Sequence, residues 1–301
     1  RSDLLDLEER PLALRHPKAK RSLSITLLKR SAPLVKRSLF IGRKMKTFEM
    51  ITIPSREEKP RKTGLTTLLD RGMGYHAACD LVEQAADYID LIKLGWGTTR
   101  LIPEETIKKK IKLYRNNQIM VSNGGTILEI AYQQGKVTEF FQSAKEIGIN
   151  SIEVSNGVVT IIREDKQKLI SKAKEIGFEV FSEIGRKNPL EDAKLTLEER
   201  IKEAHSDMAA GASKVIIEAR EGGKGLGIYD DKGSVKKEMV TSLVSDIGVG
   251  NIIFEAPDKS QQVYLILNLG INVNLGNIRP DDVIPLETLR RGLRGDTLGK
   301  L

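Results

Sequence analysis

The chain has 301 residues, 40% hydrophobic, 30% charged and 5% aromatic, enough to bury one large core. No apolar run approaches the about 20 residues that span a bilayer, and one cysteine, Cys79, excludes an internal disulfide framework and any multi-cysteine metal site and fits a reducing cytoplasm. The net charge of +8 is local: residues 1–44 hold 12 Lys and Arg against 4 Asp and Glu, leaving 37 of each sign in 45–301, so the body has no basic field for nucleic acid.

Residues 1–50 read as a basic, disordered, loosely attached extension. Apolar residues are scattered in it without period. It has no long apolar h-region, and Asp3, Asp6, Glu8 and Glu9 argue against a transit peptide. Residues 51–63, with Pro54, Pro60 and six charges of mixed sign, read as an extended lead-in without a core face. Residues 51–301 are expected to form one catalytic domain.

Eight short runs rich in β-branched residues follow: Gly64–Leu69, Tyr88–Gly95, Gln118–Ser122, Ser151–Val154, Phe178–Ile184, Lys214–Ala219, Ile252–Glu255 and Ile271–Leu275. Helical patterns separate them, including Ala77–Ala86 and Glu104–Tyr114 behind Pro103. Two patterns end in the same words, Ala-Lys-Glu-Ile-Gly at 144–148 and 173–177, with Gly where a helix turns into a strand. Eight strands alternating with helices predict a (β/α)8 TIM barrel, whose usual size is about 250 residues. An open doubly wound sheet is the alternative. Gly72-Met73-Gly74 lacks the rest of the dinucleotide fingerprint that such a sheet carries after its first strand.

Barrel chemistry gathers at the carboxyl ends of the strands. Those ends carry Asp70, Lys93, Gly124-Gly125-Thr126, Glu153, Glu183 with Arg186 and Lys187 beyond, Glu218 with Arg220, Glu255, and Asn274 with Asn277 beyond. A charge late in nearly every strand is too costly to bury unpaired, so a shared pocket is expected. Carboxylates with few histidines favour Mg²⁺ over Zn²⁺; lysine, arginine and glycine-rich turns favour a phosphorylated anion. Against this stand plainer readings. The glutamates and Lys93 can be solvated outward partners, Trp96 packing, His76, His205 and Cys79 structural, and glycines 222, 223, 225 and 227 a simple turn.

The segments Ile92–Thr98 (IKLGWGT), Ile152–Gly157 (IEVSNG), Glu183–Lys187 (EIGRK), Glu218–Glu221 (EARE), Phe254–Pro257 (FEAP), Val273–Leu275 and Leu286–Thr297 together resemble the phosphosulfolactate synthase family over about residues 60–301. The resemblance implies a (β/α)8 barrel that adds sulfite to phosphoenolpyruvate with Mg²⁺, giving (2R)-2-phospho-3-sulfolactate on one route to coenzyme M. It implies a cytoplasmic homo-oligomer with no nucleic-acid or membrane partner. On that reading Glu153, Glu183 and Glu218 are expected to hold the metal. Lys187 is the expected general acid, its pKa lowered by Lys93 and Arg220, and Lys93 holds substrate. Arg220, Lys224, Gly124, Gly125, Thr126, Asn274 and Asn277 are the expected substrate contacts. The alternatives are a non-catalytic, stress-associated barrel like a distant plant branch of the family, or another phosphoenolpyruvate-using barrel enzyme.

Overall fold

The computed structural model describes residues 46–220 and 222–301; the expected basic extension over 1–45, and Glu221, lie outside the described residues. Contacts divide the chain between Met50 and Ile51. Just before that division, the Lys46 amide donates to Glu49 Oε1 at 2.8 Å across a turn at 47–50.

From residue 51 onward the chain is a closed parallel barrel of β1 Thr66–Asp70, β2 Leu91–Leu94, β3 Met120–Ser122, β4 Ser151–Val154, β5 Glu179–Ile184, β6 Lys214–Ile217, β7 Ile252–Glu255 and β8 Asn274–Ile278. Outside lie helices α1 Tyr75–Ala85, α2 Glu104–Asn116, α3 Gly125–Gln133, α4 Val137–Glu146, α5 Arg163–Glu175, α6 Pro189–Asp192, α7 Leu197–Ala209, α8 Lys237–Ile247, α9 Lys259–Leu269 and α10 Val283–Arg290. β1 pairs with β8 in parallel, so the sheet is closed and the open doubly wound alternative falls. Local chemistry sets the joints. Gly148 and Gly177, the repeated helix endings, sit at φ +93° and +87°, where a Cβ is strained. Thr196 and Glu199 form a reciprocal capping box that starts α7.

One boundary differs from expectation. The last strand begins at Asn274 rather than ending near it, because Ile271 and Asn272 belong to the turn after α9. Asn274 therefore sits at the amino end of the barrel, accepting from the Leu65 amide at 3.0 Å and donating to the Ile252 carbonyl at 2.8 Å. Its side chain is committed to backbone partners there, at the end of the barrel away from the strand-end charges it was expected to join.

The lead-in also differs. Arg56 is buried, and its guanidinium donates to Glu287 of α10 and to the Gly64 carbonyl. Lys59 donates to the carbonyls of Ala86 and Asn117 at 3.0 Å each, and Arg61 pairs with Asp90 at 3.1 Å. Arg290, fully buried, donates to the carbonyls of Ile271 and Val273. Residues 51–63 thus dock through cations on backbone and carboxylates, a mode that apolar periodicity does not register.

Side chains alternate along each strand. A layer of Leu65, Leu91, Phe181, Ile216 and Ile253 packs inside the barrel. Two residues further along their strands stand Lys93, Glu183, Glu218 and Glu255, which the same parity aims at the lumen, one layer nearer the mouth. A larger core fills the space between strands and helices. The barrel has one thin seam: β3 and β4 share a single register pair, Ser122 with Ser151.

Candidate active site

At the carboxyl end of the barrel four glutamates and two lysines interleave. Lys93 Nζ lies 2.9 Å from Glu153 Oε2, 3.2 Å from Glu255 Oε1 and 3.7 Å from Glu183 Oε2. Lys187 Nζ lies 2.9 Å from Glu183 Oε1 and 2.5 Å from Glu218 Oε2. All four glutamates are buried, and Lys187 keeps about a quarter of its side chain exposed (27%). The remaining carboxylate oxygens accept backbone amides: Glu153 from Gly125 at 2.8 Å, Glu218 from Arg220 at 2.5 Å, Glu255 from Ala219 at 3.0 Å.

This packing sets the protonation states. Burial pulls Lys93 down, but Glu153, Glu255 and Glu183 together hold it well above the ordinary lysine value. Burial likewise opposes charge on Lys187, and Glu183 and Glu218 overcome it and push Lys187 up. The lowered Lys187 pKa expected from Lys93 and Arg220 is therefore corrected: the nearer carboxylates outweigh the neighbouring cations. Glu183 resists burial and sits well below the usual carboxylate range because both lysines face it. Burial, with Glu183 and Glu255 close by, drives Glu218 well up; burial also raises Glu153 against the pull of Lys93. Glu183 carries charge, and Glu218 is the carboxyl that most readily keeps a proton.

The rim is built of residues in a backbone region that favours glycine. Trp96 and Arg220, just beyond β2 and β6, and Asn277, the last residue but one of β8, have φ of +56°, +55° and +56°, a local cost that clusters at functional sites. Arg220 Nη1 donates to the Lys187 carbonyl at 2.9 Å, and Asn277 Nδ2 reaches the Arg220 carbonyl at 3.4 Å. Trp96 is half exposed, with the Arg71 guanidinium 5.2 Å above its ring.

Other expected contacts are mixed. Gly124 and Gly125 lie at the start of α3, where a Cβ on Gly124 would meet the Lys93 side chain; the Gly125 amide is committed to Glu153. Thr126 is half-buried in the first turn of α3 and Lys224 is exposed in the glycine turn. In that turn the Gly225 and Gly227 amides are taken by the Asp230 carbonyl and Asp192 Oδ2.

A metal has a partial frame. Glu183 Oε2 is buried without a hydrogen-bond partner, a lone acceptor that a cation would satisfy. Yet among the described residues no three His, Cys, Asp or Glu side chains surround one point closely enough to hold a metal. The Lys93 ammonium stands among Glu153, Glu183 and Glu255 instead.

Sequence reasoning placed Glu255 and Arg186 at strand ends without giving either a role in the site, and left Asp192 out. Glu255 belongs to the ion cluster and was legible as the fourth strand-end glutamate. Arg186 Nη1 donates to Asn156 Oδ1 at 2.5 Å, joining two mouth loops. Asp192 accepts the Arg186 amide at 2.9 Å and the Gly227 amide at 2.9 Å, and pairs with Arg200 at 2.8 Å; only the folded chain shows those links. Asp70 goes the other way. It is buried against Lys110 (2.6 Å) and Tyr114 (3.1 Å) and holds the amides of Gly72 and Met73, fixing the first loop.

Comparison with known proteins agrees in extent and kind. Residues 54–296 match the family model of (2R)-phospho-3-sulfolactate synthase (ComA). Phosphosulfolactate synthase of Methanothermobacter thermautotrophicus is 48% identical over 257 residues, 85% of this chain and 99% of that protein. The Bacillus subtilis phosphosulfolactate synthase is 40% identical over 82% of this chain and 97% of its own length. The Arabidopsis thaliana protein HEAT-STRESS-ASSOCIATED 32 is 25% identical over 81% of this chain and 90% of its own. With the barrel, its ring of strand-end ions and near full-length identity to synthases from an archaeon and a bacterium, the chain belongs to the phosphosulfolactate synthase family.

Proposed function

We propose that this chain catalyses the Mg²⁺-dependent addition of sulfite to phosphoenolpyruvate, giving (2R)-2-phospho-3-sulfolactate. The observation that carries the reading is the interleaved cluster of Lys93, Lys187 and four buried glutamates at the barrel mouth, in a chain 48% identical to a phosphosulfolactate synthase. The greater identity to synthases than to the plant stress protein favours catalysis over the non-catalytic alternative.

In the reaction the sulfite sulfur lone pair forms the C–S bond at the substrate methylene. The double-bond electron pair moves onto the middle carbon and into the carboxylate, and that carbon then takes a proton. Glu153, Glu183 and Glu218 do not surround one point in this structure and would have to close around Mg²⁺ to hold it; there it would supply positive charge to the carboxylate as the second negative charge develops. Lys93 and Arg220 hold the anionic substrate, with Asn277, Lys224 and the Gly124–Thr126 turn as the remaining contacts. Lys187 delivers the proton. Its raised pKa does not forbid this, because a carbanion-like carbon is a far stronger base than an amine.

We further read the protein as a cytoplasmic homo-oligomer. Cys79 is free, no helix among the described residues is long and apolar enough to cross a membrane, and Val158, Ile162 and Leu190 expose apolar side chains. The test is direct. Purified protein with phosphoenolpyruvate, sulfite and Mg²⁺, followed by phosphorus NMR, should convert the enol-phosphate resonance to that of an alkyl phosphate. An unchanged spectrum at high enzyme concentration refutes the activity.

A further inference from the structure

Glu129 is fully buried in α3, yet the described ion pairs give it no cation. Its carboxylate is filled by one loop. Oε1 accepts the Ser155 hydroxyl and the Gly157 amide at 3.0 Å; Oε2 accepts the amides of Val158 and Val159 at 2.8 and 2.6 Å. Three consecutive backbone N–H groups converging on one carboxylate make an anion nest, occupied here by a side chain of the protein itself. A buried carboxylate is costly to keep charged unless its acceptors are filled, and this loop fills them.

The held loop is the wall behind Lys187. The Gly157 carbonyl accepts the Lys187 amide at 3.0 Å. A Cβ on Gly157 would stand 3.0 Å from Lys187 Cγ and 3.3 Å from both Lys187 Nζ and Glu183 Oε1. Asn156, next along, accepts from Arg186. The same helix reaches the other half of the cluster. Gly125, four residues before Glu129 and so on the same helix face, donates its amide to Glu153, the partner of Lys93. One turn of α3 therefore grips Glu153 at one level and the loop behind Lys187 at the next.

We propose that Glu129 is a positioning residue that, through the loop Ser155–Val159, fixes the Lys187 ammonium relative to Lys93 and the glutamates. The catalytic consequence rests on the function proposed above; the geometric one does not. Glu129→Gln keeps shape but replaces one acceptor oxygen with an NH₂ group, leaving at least one loop amide unpaired. A displacement of about 1 Å at a reacting group costs on the order of 10²-fold. The variant is expected to lower kcat by about 10–100-fold while the KM for phosphoenolpyruvate moves less than about threefold.

Two measurements decide it. In a Lys187→Ala background, Glu129→Gln should lower the residual kcat by less than about threefold, because the group it positions is gone; an equal loss in both backgrounds overturns the proposal. Independently of turnover, acetylation of Lys187 by acetic anhydride, read by mass spectrometry, should rise at least about fivefold relative to exposed Lys109 as the loop loosens. An unchanged ratio overturns the proposal even if the wild type proves inactive, and an inactive wild type with a raised ratio refutes only the reaction. Should Glu129→Gln fail to fold, Ser155→Ala removes one donor from the same carboxylate and is expected to shift both readouts in the same direction.

Discussion

Replacing Lys187 tests the mechanism most sharply. Lys187→Ala removes the proposed donor and leaves Glu183 and Glu218, both buried, without their ammonium. Loss of a positioned acid costs about 10²–10⁴ in kcat, or about 3–5.5 kcal/mol of barrel-mouth transition-state stabilisation. The folding cost is smaller. The lysine is a quarter exposed, so its two pairs are worth about 1 kcal/mol each rather than the full buried value, and the freed carboxylates relieve each other by sharing a proton. That corresponds to a fall in Tm of about 4–8 °C for a domain of this size, so thermal melts and kinetics separate the two effects. Lys187→Arg retains the charge but not the transferable proton and should stay slow. Because Lys187 is held above the ordinary lysine value, its deprotonation should put no falling limb on kcat below about pH 10. An arginine variant with near wild-type kcat would refute the donor role and leave Lys187 as an anion clamp; an alanine variant with unaltered kinetics would remove it from the site altogether.

Turnover should require a divalent, oxygen-seeking cation, and full activity after exhaustive chelation would remove the metal from the reaction. A chain beginning at Met45 should keep the thermal transition and activity of the full chain, whereas one beginning at Gly64 loses Arg56, Lys59 and Arg61 with their partners and should melt well below it; equal melting of both refutes the docking role of the lead-in. Glu218 has its pKa raised by folding, so the folded state takes up a proton there, and stability is lost as pH climbs from the unfolded value toward the folded one. Glu218→Gln mimics the protonated form, and its Tm relative to wild type should therefore be more favourable at pH 7.5 than at pH 4.5; the reverse order in calorimetry would sink the assignment.

The barrel was legible because its strands repeat. Leu91–Lys93, Phe181–Glu183, Ile216–Glu218 and Ile253–Glu255 each set an inner apolar residue two positions before a charge, and period two is a local property of sequence. The last strand misled because Ile271-Asn-Val-Asn-Leu also alternates, and nothing local says that a turn consumes its first residues. The direction of the Lys187 shift could not be read either. It depends on how closely Glu183 and Glu218 approach its ammonium compared with Lys93 and Arg220, a through-space quantity. Asp192 and Glu129 were silent for the same reason: Asp192 reaches the Gly227 amide 35 residues on and Glu129 reaches Ser155–Val159, 26–30 residues on, and neither falls at a strand end.

The thin seam between β3 and β4 has a consequence for how this enzyme can be dissected. With one register pair there, closure across the gap is shared by side chains, among them the Asn150 amide oxygen on the Val121 amide and Glu153 on the Gly125 amide. A proposed reaction-site carboxylate thus doubles as a rivet of the scaffold. Substituting Glu153 both alters the ion cluster and unfastens the barrel wall at its weakest joint, so the rate lost in such a variant overstates its share of the chemistry. Glu255 also accepts an amide, that of Ala219, but its strand is joined to β6 and β8 by three register pairs each, so charge removed there leaves the wall closed.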